Sequence, residues 1–174
     1  MDDEILDLID ENDKVVGEDL KGNCHKEGLW HRAVTILVFN KNKELLIQKR
    51  SQNVPRPNLL CASASGHVQK GESYESAAKR ELKEELGIEC KLKSIGKFYM
   101  EKKYPDDKRD KEHYKIFLGN YDGEFNIQKE ELSSIQFLPV EEIKHLMKQN
   151  KNQFTPGFQE EFQHYLEFKS NKQQ

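Results

Sequence analysis

The chain has 174 residues, a formal net charge of −3 and three cysteines. That length fits one domain with a single core, the charge argues against a surface built for a long nucleic acid, and no stretch approaches the ~20 apolar residues of a membrane span. Cys24, Cys61 and Cys90 are odd in number and lack CxxC spacing, and the chain starts with an acidic run unlike a leader peptide. Reduced thiols in a cytoplasmic protein are expected, not a disulfide framework or a zinc site.

In chain order, Ile5–Ile9 and Lys14–Glu18 flank the turn cluster 10–13 and predict a β-hairpin, the core of an N-terminal extension over residues 1–31. His25 and His31 lie on either side of Trp30, a pattern that suits ligands and loop hydrogen bonds alike. Ala33–Phe39 is a continuous apolar run with β-branched residues, the mark of a strand buried on both faces. Glu44–Arg50 supplies its antiparallel neighbour. The loop 50–58 carries prolines together with Arg50 and Arg56, which are either contacts for a phosphate or base or plain surface residues. Leu59–Ser65 is an extended run in which Cys61, Ser63 and Ser65 share a face. Their small side chains leave room for a ligand or for close packing.

Beyond a central helix, residues 90–100 predict a strand, and the charged segment 101–112 with Pro105 predicts a mobile loop at one mouth of the site. Strands are expected at His113–Leu118 and Ile135–Pro139, and a helix at Val140–Gln149. After a linker, Thr155 caps a helix that has Pro156 at its first position. That helix spans 154–168, carries an aromatic core stripe and frays from Ser170. Strands, one helix, more strands and terminal helices make an α+β single domain.

The central helix is bounded by Ser73 as N-cap and Gly87 as a left-handed stop. Ala78, Leu82 and Leu86 form its apolar stripe, and Lys79 and Lys83 point to water. Glu81, Glu84 and Glu85 stand at i, i+3 and i+4 and share a face. Three neighbouring acids repel unless a cation offsets them, and hard Mg²⁺ or Mn²⁺ takes such oxygen ligands. A Glu/Lys-rich helix is also the usual pattern of a solvated surface.

The whole stretch decides between them. Gly66, Glu72, Arg80, Glu81, Leu82, Glu84, Glu85, Gly87 and Ile88 satisfy G-x5-E-x7-R-E-U-x-E-E-x-G-U at every fixed position. The chain therefore resembles the Nudix hydrolase superfamily over residues 66–88. The resemblance implies a mixed sheet sandwiched between helices, and metal-dependent attack of water on the diphosphate of a small conjugate such as a nucleoside diphosphate. It further implies Glu84 and Glu85 as principal metal ligands, Glu81 as ligand or base, and the Gly66 carbonyl as a further ligand. Arg80 and Glu72 would brace the loop and helix, with Glu112 as the downstream acid.

The flanking pattern also resembles the branch containing type 1 isopentenyl-diphosphate isomerase. Its marks are His25, His31, His67, the Arg50-Ser51 loop, and Asp110 with Glu112. In that isomerase a histidine-rich site holds a metal, and a cysteine before the Gly-His pair transfers the proton. Ser65 occupies that position here, and Cys61 is ~13 Å away along a strand. A hydrolase on an isomerase-like frame is the reading that follows, with isomerase as the alternative.

Overall fold

The strand β3 (His31–Phe39) is the axis of the domain, and its burial on both faces follows from its unbroken apolar run. In the computed structural model, which describes residues 4–104, 107 and 109–172, β3 pairs in parallel with β8 (Arg109–Asn120) along its whole length. On its other side it pairs antiparallel with β6 (Ala64–His67), and at its end with β4 (Leu45–Arg50). β4 also takes β5 (Leu60–Cys61) and β9 (Leu132–Leu138), while β7 (Leu92–Lys103) closes the far edge on β8. The result is a seven-stranded mixed sheet.

Helices cover both faces, and the alternation of β3 divides them. Val34, Ile36 and Val38 pack with Ala77, Ala78, Leu82 and Leu86 of helix α2 (Tyr74–Leu86). Ala33, Leu37 and Phe39 pack with Phe158, Phe162 and Tyr165 of helix α4 (Pro156–Asn171), and with Ile143 of α3 (Val140–Asn150). Ser73 caps α2 by accepting from Ser76 N, and Gly87 stops it at φ 67°. Thr155 caps α4 ahead of Pro156. No helix among the described residues is long and apolar enough to cross a membrane.

The N-terminal hairpin is β1 (Ile5–Ile9) with β2 (Val15–Leu20), a separate two-stranded sheet. It is followed by a short helix, α1 (Lys21–Glu27), that the sequence did not announce. Its N-cap is Leu20, with no side-chain bond, and Cys24 is its one buried residue, so it lacks both cap and stripe.

Two expectations are corrected. The segment 101–112 is not a mobile loop along its length, because residues 101–103 and 109–112 are paired strand residues of the β7–β8 hairpin. Charged side chains pair across its strands, as Lys111 Nζ does with Glu101 at 3.1 Å. Pro105 lies outside the described residues. The C-terminal helix continues through Ser170 to Asn171.

Candidate active site and metal centres

Two sets of polar side chains flank β6, one on each face of the sheet. The first comes from α2. Glu81 and Glu85 are buried and Glu84 is exposed. Glu85 Oε1 accepts from Ser65 N at 3.0 Å and its Oε2 from Gln48 Nε2 at 2.9 Å. Burial pushes the Glu85 carboxyl up to about 8. Burial also lifts Glu81 to about 7, against the pull of Arg80. Arg80 donates to Glu81 at 2.7 Å, to Glu84 at 3.1 Å, to both oxygens of Glu72 at 2.9 Å and to His67 O at 2.9 Å. One guanidinium therefore ties the acidic helix to the loop before it.

Gly66 has to be glycine for a steric reason. A Cβ there would overlap the Glu81 carboxyl group. Gly66→Ala is expected to displace Glu81, lowering kcat at least tenfold while the protein still folds. Steady-state kinetics beside a melting curve check this.

The second set lies on the α4 face. Register puts His31 of β3 opposite Glu112 of β8, and Ala33 opposite His67 of β6. Helix α1 brings His25 to the same point. Ligand atoms of His25, His31 and His67 all lie within 4.8 Å of one another. Glu112 Oε1 is 3.5 Å from both His31 Nε2 and His67 Nε2. The other ring nitrogens are occupied. His25 Nδ1 is 2.7 Å from Asp110, and His31 Nδ1 is 2.8 Å from Leu29 O, which makes Nδ1 the protonated position and leaves Nε2 its lone pair. Burial depresses His67 below the ordinary imidazole range. Burial also opposes the charge on His31, but Glu112 beside it leaves His31 raised. Glu112 itself is held well below the usual carboxylate range by the two imidazoles, despite its burial.

Glu112 sits with the histidines and not with the helix acids. Asp110 supports His25. Gln48 went unread, although a polar residue on the buried face of β4 was a legible signal. Arg50 Nε donates to Pro55 O at 2.9 Å, and the Arg56 guanidinium lies 4.2 Å over the Tyr104 ring. Among the described residues neither arginine hydrogen-bonds a helix acid or a cluster histidine; both shape the loop 51–59. A cavity of about 480 Å³ opens elsewhere, lined by Ile47, Lys49, Leu60, Ser134 and Gln136. Lys49 is the one charged residue in its lining, which includes none of the helix acids or cluster histidines.

Residues 29–158 match the family model described as the NUDIX domain. The chain belongs to the Nudix family. Its fold matches the crystal structure of DR0079 from Deinococcus radiodurans with a TM-score of 0.70 and 27% identity, over 84% of this chain and 90% of that one. By sequence this Nudix protein is 33% identical to isopentenyl-diphosphate Delta-isomerase 2 of Photorhabdus laumondii, over 90% of this chain and 89% of the relative. It is 30% identical to an uncharacterized Nudix hydrolase of Clostridium acetobutylicum, over 82% and 73%.

Nudix enzymes use divalent metals, and among the described residues the histidine set is the group whose ligand atoms converge. His31 Nε2 is buried with no hydrogen-bond partner among the described residues, and His25 Nε2 faces His67 Nε2 at 3.2 Å. Opposed lone pairs at that distance need a proton or a cation between them. On the other face, Glu81 and Glu85 are buried carboxyls that ionise at little cost only beside added positive charge. Arg80→Ala removes the cation that, among the described residues, bonds Glu81, and leaves Glu81 uncompensated. A loss of about 3 kcal/mol at pH 8 is expected, read from urea midpoints.

Proposed function

We propose that this Nudix protein is a metal-dependent hydrolase that cleaves the diphosphate bond of a nucleoside diphosphate or another small diphosphate conjugate. The observation that carries the proposal is the complete acid set on α2, with Glu81 and Glu85 buried against the Ser65–Gly66 strand. Bound Mg²⁺ or Mn²⁺ would neutralise the diphosphate and acidify a water. The chain supplies the rest. Ser65 N and Gln48 fix the Glu85 carboxylate, and Glu84 and the Gly66 carbonyl complete the donor set. Glu81, poised at about 7, can hold or accept a proton at neutral pH. Arg80 and Glu72 orient the acids, Gly87 ends the helix that carries them, and Arg50 and Arg56 offer positive charge at the mouth. Hydrolysis is read as taking place in the cytoplasm, on a small molecule and not on a long nucleic acid.

A second reading, an isopentenyl-diphosphate isomerase-like enzyme, is favoured by the His25, His31, His67 and Glu112 cluster and by the isomerase relatives. Ser65 weighs against it. It stands where that family has its proton-transferring cysteine, and a serine hydroxyl is a poor carbon acid–base group. Phosphate release with Mg²⁺ over nucleoside diphosphates, dinucleotides and nucleotide sugars tests the proposal, with isopentenyl diphosphate isomerisation followed in parallel. Metal-dependent release supports hydrolysis. Isomerisation without release overturns it.

A further inference from the structure

Neither metal set uses Glu161. It is 9% exposed on α4, among Phe158, Phe162 and Tyr165, where a fourth apolar residue would complete the stripe. Its Oε1 accepts from Thr35 Oγ1 at 2.8 Å, and burial pushes the carboxyl up to about 7. Tyr114 lies under the same helix, 6.3 Å from the His164 ring. Its hydroxyl is buried without a hydrogen-bond partner among the described residues, and the Glu161 carboxylate bears on it electrostatically. A desolvated carboxyl with one hydroxyl partner and a desolvated phenol with none among the described residues cost stability an apolar pair would not.

Their position gives them a use. Thr35 stands opposite Ser65, whose backbone anchors Glu85. Tyr114 stands opposite Ala33, one step along this face from the His31–Glu112 pair. Gly157, in the first turn of α4, carries no side chain beside this carboxyl: a Cβ there would make ordinary contact, at 3.6 Å, with Glu161 Oε1 and with Met100 Cε. The polar group therefore lies on the α4 face of the sheet, beside the histidine cluster.

We propose that Glu161, with Tyr114 and Thr35, is the specificity-determining group that selects a diphosphate conjugate whose organic half presents N–H or O–H donors over one whose organic half is hydrocarbon. The inference rests on the diphosphate reading above. A donor-bearing substrate satisfies the carboxyl and the phenol. A hydrocarbon leaves both unpaired, and sites of this kind discriminate by orders of magnitude.

The test uses the full chain with Mg²⁺, with CDP and isopentenyl diphosphate as probes. Calorimetry gives affinity and steady-state assays give turnover. Wild type is expected to bind CDP at least a hundredfold more tightly. Glu161→Leu is expected to melt no lower than wild type and to cut that preference at least tenfold, raising KM for CDP more than it lowers kcat. Glu161→Gln, which keeps an acceptor, should recover part of the loss, and Tyr114→Phe should lose a smaller part. Equal or absent binding of the two probes to wild type overturns the inference whether or not either is hydrolysed. So does a Glu161→Leu protein with a lower melting point and unchanged preference, which would make the carboxyl a structural partner of Thr35. Tight, Glu161-dependent CDP binding with no phosphate release would instead overturn the hydrolase proposal and leave this inference standing.

Discussion

Glu85→Gln is expected to lower kcat for metal-dependent diphosphate hydrolysis by about a thousandfold, the scale on which removing one transition-state charge contact acts, while the variant melts higher than wild type at pH 8. The two halves of that result have one cause. Glu85 is 3% exposed, and its proton is held up to about 8 by burial. In the metal-free protein the charge is a liability that a neutral amide does not carry. The amide also finds partners. Its oxygen can accept from Ser65 N, and its NH₂ can donate to Gln48 Oε1, which is buried and unpartnered among the described residues.

The pH dependence follows with its sign. The folded carboxyl keeps a proton that the unfolded chain loses near 4.5. Its contribution is therefore intact below that value and is lost as pH rises toward about 8. Metal-free wild type should lose stability across this window, on the order of a few kcal/mol, and Glu85→Gln should flatten the slope. Urea midpoints at pH 5 and pH 8 read this. A variant with the same slope as wild type, or with hydrolysis intact, would remove Glu85 from the centre of the site.

The helix that bears Glu85 was legible because local chemistry alone specifies it. A cap at Ser73, a stop at Gly87 and a three-residue apolar stripe lie within fifteen residues, and the structure places all three as expected. The C-terminal helix was legible for the same reason, through Thr155 and Pro156. α1 was not, because LKGNCHKE contains neither cap nor periodicity; its ends are held by tertiary contacts, such as Lys21 N donating to Glu4 O at 2.7 Å. The hairpin of β7 and β8 hid behind charge. Its outer residues pair by backbone but carry a run of charges, so Glu101 to Lys103 reads as loop. Glu161 was concealed by its neighbours. An aromatic stripe predicts a core helix, and one carboxyl within it gives no sign of which wall it faces until Thr35 is found beneath it.

The histidine cluster, marked in the sequence only by its family resemblance, is the strongest case of a site assembled by topology. His25, His31, His67 and Glu112 are spread over 88 residues of chain, and any one of them reads as an ordinary loop or strand residue. The parallel pairing of β3 with β8, the antiparallel pairing with β6 and the unannounced helix α1 bring them to one point. Three imidazoles and one carboxylate form a donor set softer than the all-oxygen set of α2, and imidazole favours Zn²⁺, Fe²⁺ or Ni²⁺ over Mg²⁺. The protein is therefore expected to take up two classes of metal: one equivalent of a transition metal at the histidines, and Mg²⁺ at the glutamates. At a hundredfold excess over Kd the first should stabilise the fold by about 2.7 kcal/mol, raising Tm by roughly 5–10 °C for a chain of this size. His25→Ala should remove that shift and the tight equivalent together. It folds because His25 stands at the rim on α1, only part-buried. Calorimetry with Ni²⁺ or Zn²⁺ on chelator-treated protein, beside melting curves, decides the matter. A single weak equivalent in wild type, or a shift that survives His25→Ala, would make the cluster a hydrogen-bonded polar core in which a shared proton takes the place of the metal.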